Sequence, residues 1–392
     1  MTVRMDSCML SDNSSCPFYE DRFTNDSSGL NDSSWPACSD GVPGMLFSAY
    51  FQAAIYLTYS AIFVVALVGN GLVCYVVLSS ARMRTVTNIF IVNLAVGDIM
   101  MTVLCVPFSF VSTLILQYWP FGAPLCHTVS FSQAVSVLVS AYTLVAISLD
   151  RYMAVLWPLR PRMGKRHAKA TVAAVWLGAL ITAFPIPAVS SLKQPSRWHH
   201  NCDRFVCEEE WESQSMRQLY SAALMTLQYA VPLCVLVFTY TSIAVEVWGK
   251  RPPGEAQDTR DIRIARSKRK MVKMMLTVVA VFTICWLPLN ILLITWQSCD
   301  WLSEWSGLPY LWFACHWLAM SHSCYNPFIY CWMNTHFRAG FCGVLGCALP
   351  RRKKRRRSSH APPLGRVNTC ATYVSVRRAP RDRSLTRIEH AI

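Results

Sequence analysis

The chain has 392 residues, 53% hydrophobic and only 15% charged, a balance too apolar for a water-soluble globule or a disordered chain. Its net charge of +15 would suit a nucleic-acid-binding protein, but the basic residues lie in short loops and a tail, not on a soluble domain. The 17 cysteines fall mostly inside apolar stretches, where a thiol acts as a small hydrophobe, so they do not read as a disulfide scaffold.

Residues 1–46 lack the apolar core of a cleavable signal peptide and carry acceptor sequons at Asn13, Asn25 and Asn31. They are expected to form a glycosylated extracellular N-terminus. Residues 47–332 hold seven apolar stretches long enough to cross a bilayer: Phe47 to Leu78, Val86 to Leu114, Pro124 to Leu156, Ala168 to Ser190, Met216 to Trp248, Lys268 to Trp296 and Gly307 to Trp332. The expected fold is an all-α membrane protein, a bundle of seven transmembrane helices. Basic residues occupy alternate connections, with Arg82 and Arg84, Arg160 to Lys169, and Lys250 to Lys273. That bias puts the N-terminus outside and the C-terminus in the cytoplasm.

Residues 333–349 read as a short amphipathic helix lying on the inner leaflet, with Phe337, Phe341 and Leu345 on one face. Cys342 and Cys347 would sit at its acyl boundary as candidate palmitoylation sites. Residues 350–392 read as a basic disordered cytoplasmic tail. Its run from Arg351 to Arg357 would hold to anionic lipid, and Ser358, Ser359 and Ser375 are phosphorylation candidates.

Ionisable groups at membrane depth are costly, so each is a functional candidate. Asp98 lies mid-helix, with Asn70, Ser140, Ser323 and Asn326 as oxygen-bearing partners from other spans. This set suits an allosteric sodium ion, a protonated carboxyl, or an interhelical hydrogen bond that only fixes packing. Asp150-Arg151-Tyr152 ends the third span at the inner face, where a charge pair could be broken by a partner or remain a rim salt bridge. On the outer side, Cys126 has two nearby candidates for a disulfide, Cys202 and Cys207.

The signatures of hydrolases, zinc proteases and nucleotide-binding loops are absent, so no enzymatic activity is expected. The apolar spans lack the repeated charges or broken-helix repeats of a transporter. The seventh span carries no lysine, which excludes a retinal Schiff base there.

Taken in order, Gly69-Asn70, Leu94-Ala95-Val96-Gly97-Asp98, Cys126 with Asp150-Arg151-Tyr152, Trp176, Pro232 with Tyr240, Cys285-Trp286-Leu287-Pro288 and Asn326-Pro327-Phe328-Ile329-Tyr330 resemble the marks of the rhodopsin-like G protein-coupled receptors. The resemblance covers Phe47 to Cys347. It implies a Cys126–Cys207 disulfide, a ligand pocket above Trp286, and a kink at Pro288 about which the sixth helix swings outward. Arg151, Tyr240 and Tyr330 would rearrange at the inner end, and Arg151, Pro158 and Leu159 would meet the G protein α subunit. A heterotrimeric G protein, arrestin and receptor kinases are the implied partners, and no cofactor beyond sodium.

Position 133 is Gln where amine receptors of this family carry aspartate, which argues against a biogenic amine. Gln133, Leu227-Gln228-Tyr229, Cys285 to Leu289, His316 and the Cys207 to Trp211 stretch resemble the neuropeptide Y receptor group, above all its invertebrate RYamide branch. That resemblance implies a plasma-membrane receptor for an amidated neuropeptide, with Gln133, Gln228, Asn290 and His316 at its amide end and Trp286 at its terminal ring. Glu208 and Glu210 at the acidic mouth would attract a basic peptide. Where the group commonly carries an aspartate for the peptide arginine, this chain has Gln297, with Asp300 three residues on. A tachykinin-, neuropeptide FF- or SIFamide-like receptor is the nearest alternative.

Overall fold

The computed structural model describes Cys38 and residues 49–249, 259–299 and 301–348. The expectations for Asn13, Asn25, Asn31, Asp300 and the basic tail fall outside these residues, as do those for the side chains of Gln297 and Cys347.

Seven long helices cross one another in a bundle. Helix α1 is Ala49–Ser79 and α2 Val86–Leu104, started by Thr85, whose hydroxyl accepts from Asn88 N at 3.3 Å. Helix α3 is Gly122–Leu156 and α4 Lys165–Ala183. Helix α5 runs from Gln214–Met225 through a π-helical turn at Thr226–Ala230 into Val231–Gly249. Helices α6 (Thr259–Ser298) and α7 (Leu308–Met333) follow, then the short α8 (Thr335–Ala348). Six are long and apolar enough to cross a membrane. The seventh, α7, has 26 residues, with its apolar run diluted by His316, Ser321, His322, Ser323 and Asn326.

The second span, Val86–Thr113, ends one residue short of the expected Leu114, but its helix is interrupted. It breaks at Cys105, resumes at Val106–Phe110 and ends in a π-helical turn, Val111–Leu116. Pro107 has no N–H to offer the preceding turn, which accounts for the break. The sixth helix starts well before Lys268, because its basic inner turns are helical although too polar to count as membrane-spanning.

Between α4 and α5 lies a hairpin that the sequence did not announce. Strand β1 (Ser190–Lys193) pairs antiparallel with β2 (Val206–Glu209), with Leu192 opposite Cys207. Cys207 is bonded to Cys126 at the top of α3, and Cys202 to Cys38, so the competition for Cys126 is resolved in favour of Cys207.

Helix α3 is the hub, packed against α2, α4 and α5, while α7 packs against α1 and α6. Without a hydrophobic driving force in lipid, close packing and interhelical hydrogen bonds hold such helices together. Asn93 of α2 donates to Thr143 of α3 at 2.7 Å and accepts from Trp176 Nε1 of α4 at 2.8 Å. Helix α8 turns Phe337 and Phe341 into the protein, where both are buried and Phe337 packs on Tyr330 at 5.5 Å. Only Leu345 of the expected lipid-facing trio is exposed.

Candidate functional site

The outer half of the bundle encloses a pocket of about 540 Å³, including its open mouth. Ser130, Gln133, Ala134 and Val137 reach it from α3, Leu224 and Gln228 from α5, Trp286 and Leu289 from α6, and Trp312 and His316 from α7. The π-helical turn of α5 places Gln228, which is 2% exposed, against this wall. Among the described residues no Asp, Glu, Lys or Arg lines the pocket. Gln228 Nε2 and Trp286 Nε1 are buried without a hydrogen-bond partner among the described residues. A ligand that brings acceptor oxygens would satisfy both groups.

Of the expected ligand contacts, Gln133, Gln228, Trp286 and His316 converge here. Asn290 is buried one turn above Trp286 and donates to the Trp286 carbonyl at 2.8 Å, so it braces the wall without lining it. Glu208 and Glu210 stand on the hairpin and not in the pocket wall. Burial pushes the Glu208 carboxyl above the usual glutamate range, against the pull of Lys193 and Arg217. Glu210 is exposed, and its hydrogen bond and ion pair with Lys193, 3.2 Å away, hold it below that range.

Below the pocket, Asp98, Asn70, Ser140, Ser323 and Asn326 are all buried. Asn326 Nδ2 donates to Asp98 Oδ2 at 2.9 Å. Asp98 Oδ1 and Asn70 Oδ1 have no hydrogen-bond partner among the described residues, and they are oxygens of the kind a hard cation takes. The donor set therefore fits a sodium ion. His322, absent from the expected set, brings Nε2 within 3.4 Å of Asp98 Oδ1.

At the inner end, Arg151 pairs with Asp150 and donates to Thr87 of α2 at 2.6 Å. Tyr152 packs edge-on to Trp157 at 5.5 Å, and Tyr240 and Tyr330 are both buried. Pro158 and Leu159 are exposed. Pro288 lies inside α6 two residues beyond Trp286, whose ring meets His322 at 5.9 Å and Phe282 at 6.2 Å. The three sites thus form a column from pocket to inner face.

Sequence reasoning missed Tyr59 of α1, whose hydroxyl lies 2.7 Å from His316 Nδ1, and Trp312, stacked on the His316 ring at 4.7 Å. The one available signal was a tyrosine in an apolar span, whose hydroxyl needs a partner.

A family model described as seven transmembrane receptor (rhodopsin family) matches residues 69–330. The chain is 56% identical over 354 residues to the RYamide receptor of Drosophila melanogaster, covering 87% of this chain and 76% of that protein. It is 50% identical over 351 residues to the RYamide receptor of Tribolium castaneum, covering 88% and 93%. Similarity to the Tachykinin-like peptides receptor 99D of Drosophila melanogaster is lower, 39% over 291 residues, covering 73% and 55%.

Proposed function

The chain belongs to the rhodopsin family of seven-transmembrane receptors, and from that premise we propose that it is a receptor for an amidated neuropeptide of the RYamide class. It is a signalling protein of the membrane and not an enzyme. The observation that carries the ligand reading is the neutral pocket with unpartnered N–H groups on Gln228 and Trp286. A C-terminal carboxamide presents a carbonyl oxygen to such donors without a charge. A free carboxylate would enter with no cation in the wall to meet it, at a large desolvation cost.

Arginine ahead of the terminal ring would face the hairpin, where Glu208 carries a partly buried carboxylate. Its attraction to the peptide adds steering at the mouth and a charge-assisted hydrogen bond after contact. The agonist acts by binding the open state better than the closed one. Trp286 and Pro288 transmit this to the inner half of α6, whose outward swing opens a groove for the C-terminal helix of a G protein α subunit. Arg151, released from Asp150, and the exposed Pro158 and Leu159 would line that contact.

The same reading places the protein in the plasma membrane with a glycosylated N-terminus outside. The tail would meet lipid, receptor kinases and arrestin, and Cys342 would carry palmitate. Asp98, Asn70 and Ser140 would hold a sodium ion, which supplies a counter-charge to the buried carboxylate.

The test is calcium release in cells expressing the chain with a promiscuous G protein α subunit. Peptides ending in Arg-Tyr-amide should respond, and their free acids should be at least about 100-fold weaker, because burying a carboxylate with no cation to meet it costs at least about 3 kcal/mol. Response only to peptides ending in Gly-Leu-Met-amide would move the receptor to the tachykinin-like reading, which the 39% relative favours.

A further inference from the structure

We propose that Tyr59 is a positioning residue for the ligand pocket. Its phenol donates to His316 Nδ1, fixes the imidazole in the tautomer with the proton on Nε2, and so makes His316 a hydrogen-bond donor for a carbonyl oxygen of the ligand. The inference rests on the reading of the pocket as a carboxamide site.

Tyr59 is 3% exposed, and its hydroxyl has one partner among the described residues, His316 Nδ1 at 2.7 Å. If Nδ1 carried a proton and donated to the phenol oxygen, the phenol's own proton would be buried with no acceptor. A buried donor left unpaired is the costlier arrangement, so the phenol donates and Nδ1 accepts. An imidazolium fails for the same reason, and among the described residues no carboxylate lines the pocket to offset its charge. With Nδ1 occupied as an acceptor, the one ring proton resides on Nε2.

The ring has little freedom to turn away. Trp312 stacks on it at 4.7 Å with an interplanar angle of 10°, and the Tyr59 ring lies at 6.0 Å and 21°. Flipping the imidazole would present a carbon to the phenol and lose the bond. Tyr59 itself does not line the pocket, so it acts through His316. The wall then offers three N–H donors, from His316, Gln228 and Trp286, and the class of group it selects is a neutral acceptor.

Two measurements test this on the full chain. In the first, the receptor is reconstituted in lipid nanodiscs with ring-¹⁵N histidine, and the His316→Asn variant identifies the His316 signals. The expected spectrum is that of a neutral Nε2–H tautomer, turning mixed in Tyr59→Phe. An Nδ1–H or doubly protonated ring, or a spectrum indifferent to Tyr59→Phe, overturns the proposal. In the second, a synthetic peptide ending in Arg-Tyr-amide is titrated on surface-expressed variants. Tyr59→Phe should cost about tenfold in potency beside His316, the weight of one hydrogen bond, and much less beside His316→Gln, whose amide nitrogen donates without help from the phenol. Equal losses in both backgrounds would show that the phenol matters only for packing and would overturn the idea. If the peptide is silent on the parent receptor, the ligand reading fails, and the nitrogen spectrum alone decides the role of Tyr59.

Discussion

Asn70 shows how one side chain answers for another's deficiency. Pro327 has no N–H for the Ser323 carbonyl one turn back, and Asn70 Nδ2 supplies the missing donor from α1 at 2.9 Å. The neighbouring Gly69 lets the helices come that close, because a Cβ there would meet Pro327 Cγ at 2.9 Å. Asn70→Ala should therefore destabilise the receptor by about 1–3 kcal/mol, the cost of an unpaired buried carbonyl. Gly69→Ala should cost a similar amount, about 1–3 kcal/mol, by overpacking. Thermal unfolding of the purified protein checks both, and unchanged midpoints would remove this account of the α1–α7 contact. Glu208 and Glu210 part in the opposite sense. Burial raises the Glu208 carboxyl above the reference 4.5, so as pH falls it takes up its proton first, while the Lys193 pair holds Glu210 charged to lower pH. For Glu208 the sign is that of a charge disfavoured by folding: its cost is present above the raised value and relieved below it. Affinity for an arginine-bearing peptide should weaken on acidification beginning above the ordinary glutamate range. Binding curves across pH should lose that dependence in Glu208→Gln and keep it in Glu210→Gln.

Among the elements, the hairpin depends most on covalent support. Four-residue strands are too short to hold their register alone, and the Cys126–Cys207 bond fixes β2 to α3 across 81 residues of chain. The Cys38–Cys202 bond ties the same connection to the N-terminal side across 164 residues. Cys126→Ser should lower stability by about 2–5 kcal/mol and abolish peptide binding, since the hairpin would no longer be held over the pocket. Labelled-peptide binding to surface-expressed receptor measures this, and retained affinity would show that strand pairing suffices. Helix α8 is the contrary case, anchored by packing. Phe337 is fully buried against Tyr330, and truncation to Ala should cost about 3–5 kcal/mol.

On the scale of the whole molecule, the Trp286 ring of α6 meets His322 of α7, which stands 3.4 Å from Asp98, so a pocket ligand that binds one state better would bias the Asp98 cluster, and such coupling is reciprocal. If sodium occupies the Asp98 and Asn70 oxygens, replacing it by an organic cation at constant ionic strength should change peptide affinity. Asp98→Asn should make affinity indifferent to the exchange. A parent receptor equally indifferent would mean that His322, 3.4 Å from Asp98, already fills the role of partner. The apolar runs, the alternation of basic connections and the polar marks inside each span were legible in the chain because each is a local pattern. Local pattern also carried Gln133, Gln228, Trp286 and His316 towards one pocket, through the order of the family's motifs. What the tertiary structure decided are the pairings. Tyr59 meets His316 across 257 residues, Asn70 meets Ser323 across 253, and Cys202 takes Cys38 and leaves Cys126 to Cys207. A bilayer demands that each buried polar group find a partner, and the sequence states that demand. Which group answers depends on how helices far apart in the chain rotate and approach, and that is settled by packing.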